Sequence, residues 1–386
     1  MMHQQHLFDI PEDVSYLNTA SLSPSLKTSE IAGLESVLQK SRPFTIPTSN
    51  YFEPVTKLKQ LFAKVIDVDN YNRIATIPSV SYGIATVTKN ITLNPEDEIL
   101  IIGEQFPSNY YAWQKLADQN NATIKTVTMP QAQQNRARDW NTLILNSISS
   151  NTAVIAMGNI HWSNGSLFNL KAISKKAKAN NSLLIIDGSQ SIGALPFSVK
   201  EINPDAVICA GYKWLFGPYG CAYAYFGAYF DNGEPIEENW SNRLNSENLS
   251  QLTQYQNQYK PLANRYCAGE HASFIYVNMQ IKALEQVLNW SPLDIQNYCK
   301  LITKEAVNTL KDLGCFIDDD HYRSHHLFGV ELPKTIDIDL LKTKLTKQKI
   351  YVSFRGKYIR LSCHYFNTER HFKKLVNCIK SVINNN

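Results

Sequence analysis

Short runs of aliphatic and β-branched residues recur along the chain, each closing in turn-forming residues and followed by apolar positions at helical spacing. Four are EILIIGEQFPSN (98–109), TAVIAMGNIHWSNG (152–165), SLLIIDGSQ (182–190) and DAVICAGYKW (205–214). That alternation predicts parallel α/β structure. Between them, LFNLKAISKKAKANN (167–181) sets lysines opposite an apolar stripe, as a crossover helix packed on a sheet should. The core region therefore reads as doubly wound.

After about residue 275 the pattern changes. It predicts a long helix over roughly 275–312, a strand in HLFGVELP (326–333), a helix in DIDLLKTKLTKQK (337–349), extended structure in IYVSFRGKYIRLSCHYF (350–366) and a final helix from Thr368. We expect a large α/β domain over 17–274 and a smaller α+β domain with antiparallel hairpins, built from 1–16 and 275–386. The Asn- and Gln-rich stretch 238–264 reads as a long excursion loop.

Composition narrows the class. With 386 residues, 44% hydrophobic and 19% charged, the chain needs no disulfide or metal to build its core. The charges, 38 basic against 34 acidic, are scattered, so no nucleic-acid partner is expected. The opening MMHQQHLFDIPEDV has neither a basic n-region nor an apolar h-region, and no 18 apolar residues run together. The expectation is a soluble cytoplasmic protein with no membrane partner. Seven cysteines without a C-x-x-C read as reduced thiols.

No P-loop, dinucleotide fingerprint or H-E-x-x-H occurs. His321, His325 and His326 have ligand-like spacing but fall in what reads as a surface turn, and no metal is expected. Chemistry concentrates in 182–220, where Asp187 ends one apolar strand and Lys213 follows another, at the edge where open α/β sheets bind ligands. A buried lysine has its ammonium destabilised, which favours imine formation with an aldehyde. A carboxylate nearby can keep a pyridinium nitrogen protonated. Taken singly, Asp187 could cap a helix, Lys213 could snorkel to solvent, and Gly217–Gly220 could be an ordinary turn.

In combination these residues are more specific. Asp-Gly-Ser-Gln from Asp187, Gly-Tyr-Lys-Trp with its lysine 26 residues later, and Gly-Pro-Tyr-Gly from Gly217 resemble the aminotransferase class V family of fold-type I pyridoxal-phosphate enzymes. That family includes cysteine desulfurases, selenocysteine lyases, kynureninases and isopenicillin N epimerase-like proteins. The resemblance extends to YLNTASLSPS (16–25), SVSYGIATVTKNI (79–91), GEQFPSNYYAW (103–113) and IRLSCHYFNTERHF (359–372). It implies a mostly parallel seven-stranded sheet in the large domain and pyridoxal 5'-phosphate as cofactor. By position, Lys213 would form the aldimine and then serve as general acid/base, Asp187 would face the pyridine nitrogen, and Gln190 would bond O3′. The phosphate would rest on Ser79, Val80 and Ser81 with the Tyr212 phenol, and Phe106 would cover the ring. Asn164 is similar to the asparagine that contacts O3′ or substrate, and Arg360, with Asn18 and Ala20, falls to the substrate. His161 and Trp162 read equally well as packing.

Three departures qualify the resemblance. Gln105-Phe106-Pro107 stands where desulfurases carry a Glu-His-His-type motif, as in kynureninase-like members. YVSFRGKYIR (351–360) has no cysteine, and strand alternation turns Cys363 away from the face of Arg360, which argues against a persulfide relay. In RYCAGEHASF (265–274), similar to a segment that reaches a neighbouring subunit's phosphate in dimeric relatives, Glu270 replaces a threonine; a homodimer with sites near its interface is implied all the same. The resemblance implies action on an amino acid's α-amino group through a quinonoid, with transamination as the default. The alternatives are C–S or selenocysteine cleavage, kynureninase-like hydrolysis, epimerisation, or a catalytically silent binding protein.

Overall fold

The computed structural model describes residues 3–132 and 134–383, so residues 1–2 and 384–386 of the expected smaller domain lie outside the described residues. The chain opens with the two-residue strand β1 (Ser15–Tyr16) and helices α1 (Lys27–Lys40) and α2 (Glu53–Val65). Strands and helices then alternate: β2 (Ile74–Ile77), α3 (Val80–Lys89), β3 (Glu98–Ile102), α4 (Tyr111–Asn120), β4 (Thr123–Val127) and α5 (Arg136–Ser147). The series continues with β5 (Thr152–Gly158), α6 (Leu170–Ala179), β6 (Leu183–Asp187), α7 (Val199–Ile202), β7 (Ala206–Ala210) and β8 (Ala222–Phe226).

These strands form a seven-stranded sheet in the order β2-β8-β7-β6-β5-β3-β4. Only β8 runs against its neighbours, pairing antiparallel with both β2 and β7. The other six strands therefore deliver their carboxyl ends to one edge. The sheet is buried on both faces: Ile99, Ile101, Ile185 and Ile208 pack with α3 and α4, and Leu100, Ile102, Ile186 and Val207 join the core on the opposite side. Burial on both sides is why the strands read as continuous apolar runs. The 238–264 stretch contains short 3₁₀ turns and no longer element, matching its composition.

The long helix expected over 275–312 is two helices, α8 (Phe274–Asn289) and α9 (Pro292–Asp312). Trp290 and Ser291 are extended, Ser291 accepts the Asp294 amide as N-cap, and Pro292 occupies the first turn. Proline cannot continue a helix but fits its start, so the chain must stop and begin again here. Next come β9 (Leu327–Glu331), α10 (Ile338–Lys347), β10 (Ile350–Tyr351), β11 (Ser353–Arg355), β12 (Tyr358–Ser362) and α11 (Glu369–Ile383). β11, β12 and β9 form an antiparallel sheet. The 350–366 stretch is not a single hairpin, because β10 leaves it to pair in parallel with β1. That pairing draws the start of the chain across the molecule to β12, where Asn18 bridges Ser362.

Candidate active site

Asp187 ends β6 opposite Ile208 of β7, and Lys213 lies three residues beyond the end of β7. The loops are held together at close quarters. Ala210 donates its amide to Ser189 Oγ (3.1 Å), and Gly193, at φ +99°, passes the Trp214 carbonyl so closely that a Cβ there would lie 2.4 Å from the oxygen. Only glycine fits both the conformation and the approach. Asp187 accepts the Ser189 amide (3.0 Å) at the head of a run of turns, not of the helix that the sequence allowed, and its charge also acts on Lys213.

Lys213 is 8% exposed. Burial lowers its ammonium to about 8, Asp187 opposes that shift, and the Arg360 and Arg355 guanidinium groups reinforce it. The snorkelling alternative is excluded by this burial. Phe106, beyond β3, places its ring 5.6 Å from Lys213 Nζ, and the Tyr212 ring lies 5.7 Å away. Tyr212 packs in turn on Tyr219 at 4.5 Å. In cofactor-free protein, acetylation of Lys213 followed by peptide mass spectrometry should show a rate rising to half its plateau near pH 8, because the neutral amine is the nucleophile. A midpoint near the ordinary lysine value of about 10.4 would contradict the burial argument.

α3 begins directly after β2, at the same edge. It lies close against the sheet because Gly83 has no side chain: a Cβ there would sit 2.8 Å from Ile208 and Ile77. Ser79 caps the helix, accepting the Tyr82 amide (3.1 Å), and its hydroxyl lies 2.9 Å from that of Ser81. The capping role and an anion role coexist, since first-turn amides such as those of Val80 and Ser81 have no intrahelical acceptor.

Arg360, on β12, is 2% exposed and pairs with no carboxylate among the described residues. Its guanidinium donates to the Trp162 carbonyl (3.0 Å) and to Ser21 Oγ (2.6 Å), while Nε has no partner. Burial first, and Arg355 second, lower its pKa to about 9. Ser21 and Ser353 both donate to Asn18 Oδ1, at 2.8 and 2.5 Å. Ala20 donates its amide to Ser362 Oγ (2.9 Å) and accepts from Gln190 Nε2 (3.1 Å). Asn18, Ala20, Gln190 and Arg360 are thus brought together, with the Gln190 amide oxygen accepting from Trp214 (3.1 Å).

The Asn164 side chain bonds Met129 Sδ (3.2 Å) and the Ser166 amide (3.0 Å), and its backbone carbonyl accepts the amide of Gly329, the residue opposite Arg360. His326 is not on a surface turn. It is fully buried beneath the site, bonded to the Gln190 carbonyl (2.8 Å) and Gln296 (2.7 Å), with its ring 4.4 Å from Trp214. His161 is likewise buried and lowered to about 4 by burial, so it is neutral and structural. Cys363 is buried against the His325 carbonyl. Arg265 donates to the Gly233 carbonyl (3.0 Å) and, among the described residues, not to Glu270.

Trp162 is the residue the sequence undervalued. It donates to the Glu104 carbonyl (2.7 Å), meets Phe106 edge-on at 5.3 Å, and carries the guanidinium carbons of Arg355 and Arg360 at 5.8 and 6.0 Å. Among the described residues no helix is long and apolar enough to cross a membrane, and no group of three His, Cys, Asp or Glu could hold a metal.

The family model for Aminotransferase class-V matches residues 47–370. An uncharacterized aminotransferase of Bacillus subtilis, YcbU, is 24% identical over 338 residues, 85% of this chain and 84% of its own. The hercynylcysteine sulfoxide lyase of Schizosaccharomyces pombe is 25% identical over 340 residues, covering 82% and 81%. Among solved structures, the cystine C–S lyase C-DES in complex with its product cysteine persulfide superposes with a TM-score of 0.85 at 18% identity, over 96% of this chain and 98% of that one.

Proposed function

The chain belongs to the class-V aminotransferase family, and from that premise we propose that it transfers the α-amino group of an amino acid, with Lys213 carrying the proton that must leave the α-carbon. The family's cofactor is pyridoxal phosphate, and the residues here fit it. Lys213 is a buried amine with a lowered pKa, Asp187 is an acid at the neighbouring strand end, and Ser79, Val80 and Ser81 form a helix start suited to a phosphate. Tyr212 and Phe106 flank the lysine. When bound, the group supplies an aldehyde that takes up amines and a ring that withdraws electrons from the carbon attached to them.

The chain's own residues do the rest. The buried Arg360, with an unpartnered Nε and no carboxylate paired with it among the described residues, is the observation that carries the reading. A guanidinium fork held this way awaits a carboxylate, and binding one fixes the substituents at the α-carbon toward Lys213. Lys213, near its pKa at neutral pH, can accept a proton there and return it. Phe106 and Trp162, in edge-on contact at 5.3 Å, border the lysine on one side.

β-Elimination is a second reading, supported by the similarity to two lyases, the sulfoxide lyase and the C–S lyase. Incubating holoenzyme with single amino acids separates them. Transamination moves nitrogen to an added 2-oxo acid without free ammonia, whereas elimination releases ammonia and a side-chain fragment with no acceptor present. Neither reading uses an enzyme persulfide, in keeping with the buried Cys363. The proposal includes a homodimer, supported by Ile31, Leu34, Leu38 and Phe44, which α1 and the turn after it leave exposed.

A further inference from the structure

We propose that Arg355 is a second anion-binding arm of this active site, and that the substrate is an amino acid whose side chain ends in an oxyanion, a carboxylate or a sulfo group. The inference rests on the reading of Arg360 as the residue that takes the α-carboxylate.

In the β11–β12 hairpin, Ser353 stands opposite Arg360 and Arg355 opposite Tyr358. Directly opposed residues share a face, as do residues two apart, so Arg355 and Arg360 project from the same side of the hairpin. Their guanidinium carbons meet the same indole, that of Trp162, at 5.8 and 6.0 Å. Trp162 leans on Phe106, whose ring is 5.6 Å from Lys213 Nζ. Arg355 therefore borders the space in which a substrate held by Arg360 must lie.

Its bonding is incomplete. One donation, NH1 to the Phe354 carbonyl (2.9 Å), is its hydrogen bond, and among the described residues no carboxylate pairs with it. Glu331, on β9 at the far side of β12, is already taken by Arg136 and Lys357. Two guanidinium groups are thus held on one indole without a counter-ion among the described residues, and the charge of Arg355 adds to burial in lowering the pKa of Arg360. A monocarboxylate on Arg360 neutralises one charge and leaves the other. A ligand with two anionic ends neutralises both, each through the fork geometry that arginine offers to paired oxygens.

The test is calorimetric and needs no turnover. Holoenzyme is titrated with succinate and glutarate, and with butyrate and valerate, which match them in chain length but lack the second carboxylate. Charge-assisted hydrogen bonds lead us to expect each diacid to bind at least about tenfold more tightly than its partner. Arg355→Ala should bring that ratio to about one, Arg355→Lys should keep part of it, and Arg360→Ala should weaken both members of each pair. A 3-sulfopropanoate arm separates the two oxyanions, since a preference for it over succinate assigns the sulfo class. A ratio near one in the unmodified protein overturns the inference while leaving Arg360 in place, and so does a ratio that survives in Arg355→Ala. If Arg355→Ala instead weakens pyridoxal phosphate and leaves the ratio intact, the arm belongs to the cofactor and the proposal fails. Should no carboxylate bind and Arg360→Ala be silent, the reading of Arg360 falls, and this one with it.

Discussion

Replacing Lys213 by alanine is expected to lower kcat by about 10²- to 10⁴-fold, the range that a positioned proton carrier contributes, while pyridoxal phosphate still binds. The two effects separate because different residues supply them. The α3 start, Asp187 and the Phe106 and Tyr212 rings remain when the amine is removed, whereas the buried amine itself, poised near neutral pH, is gone. His161 is bonded to the Gly103 carbonyl, and the neutral His326 is bonded to Gln190. Spectrophotometric titration with the cofactor and stopped-flow turnover would measure the two quantities. Borohydride treatment of the unmodified holoenzyme should fix one pyridoxyl group, on the Lys213 peptide. Its appearance on another lysine would remove Lys213 from the site.

For Arg360 the expected result has two opposing parts. Losing a charge-assisted pair worth roughly 1.5–3 kcal/mol should lower kcat/KM by about 10- to 150-fold in Arg360→Ala. Thermal stability should move the other way in Arg360→Met. A buried cation without a counter-ion costs several kcal/mol, which the two hydrogen bonds it makes to Trp162 and Ser21, roughly 1.5–3 kcal/mol each, offset only in part while Nε stays unpartnered. Desolvation therefore dominates, and a methionine filling the same space should raise the unfolding midpoint. A midpoint that falls would mean that the Ser21 and Trp162 contacts matter more to the fold than the charge costs it. Activity lost together with stability gained is the signature of a group kept for its ligand.

The parallel sheet and the Asp187–Lys213 pair were legible because their signals are local. Continuous apolar runs announce strands covered on both sides, and an acid and an amine at consecutive strand ends stand out against them. The break at Pro292 was equally local: Ser291-Pro292 is an N-cap followed by a first-turn proline, and it was hidden only because apolar periodicity runs straight across it. What the sequence could not show is contact between distant segments. Trp162 looks like packing until β11 and β12 set two arginines on it. His326 looks like a surface residue until the buried Gln190 carbonyl supplies its partner.

The crossing of the chain's start to β12 also dictates an order of assembly. Ser15 and Tyr16 pair with residues 350 and 351, and Ala20 is held by Ser362, so these contacts close loops of more than three hundred residues. During synthesis the sheet edge bearing Asp187 and Lys213 emerges long before β10 and β12 exist, and the backbones of Ser15 and Tyr16 and the Ala20 amide must wait for their partners until the last strands leave the ribosome. Loop closure of this span is entropically slow relative to the local pairings. The substrate end of the cleft is therefore the last part to form, after the lysine end is in place.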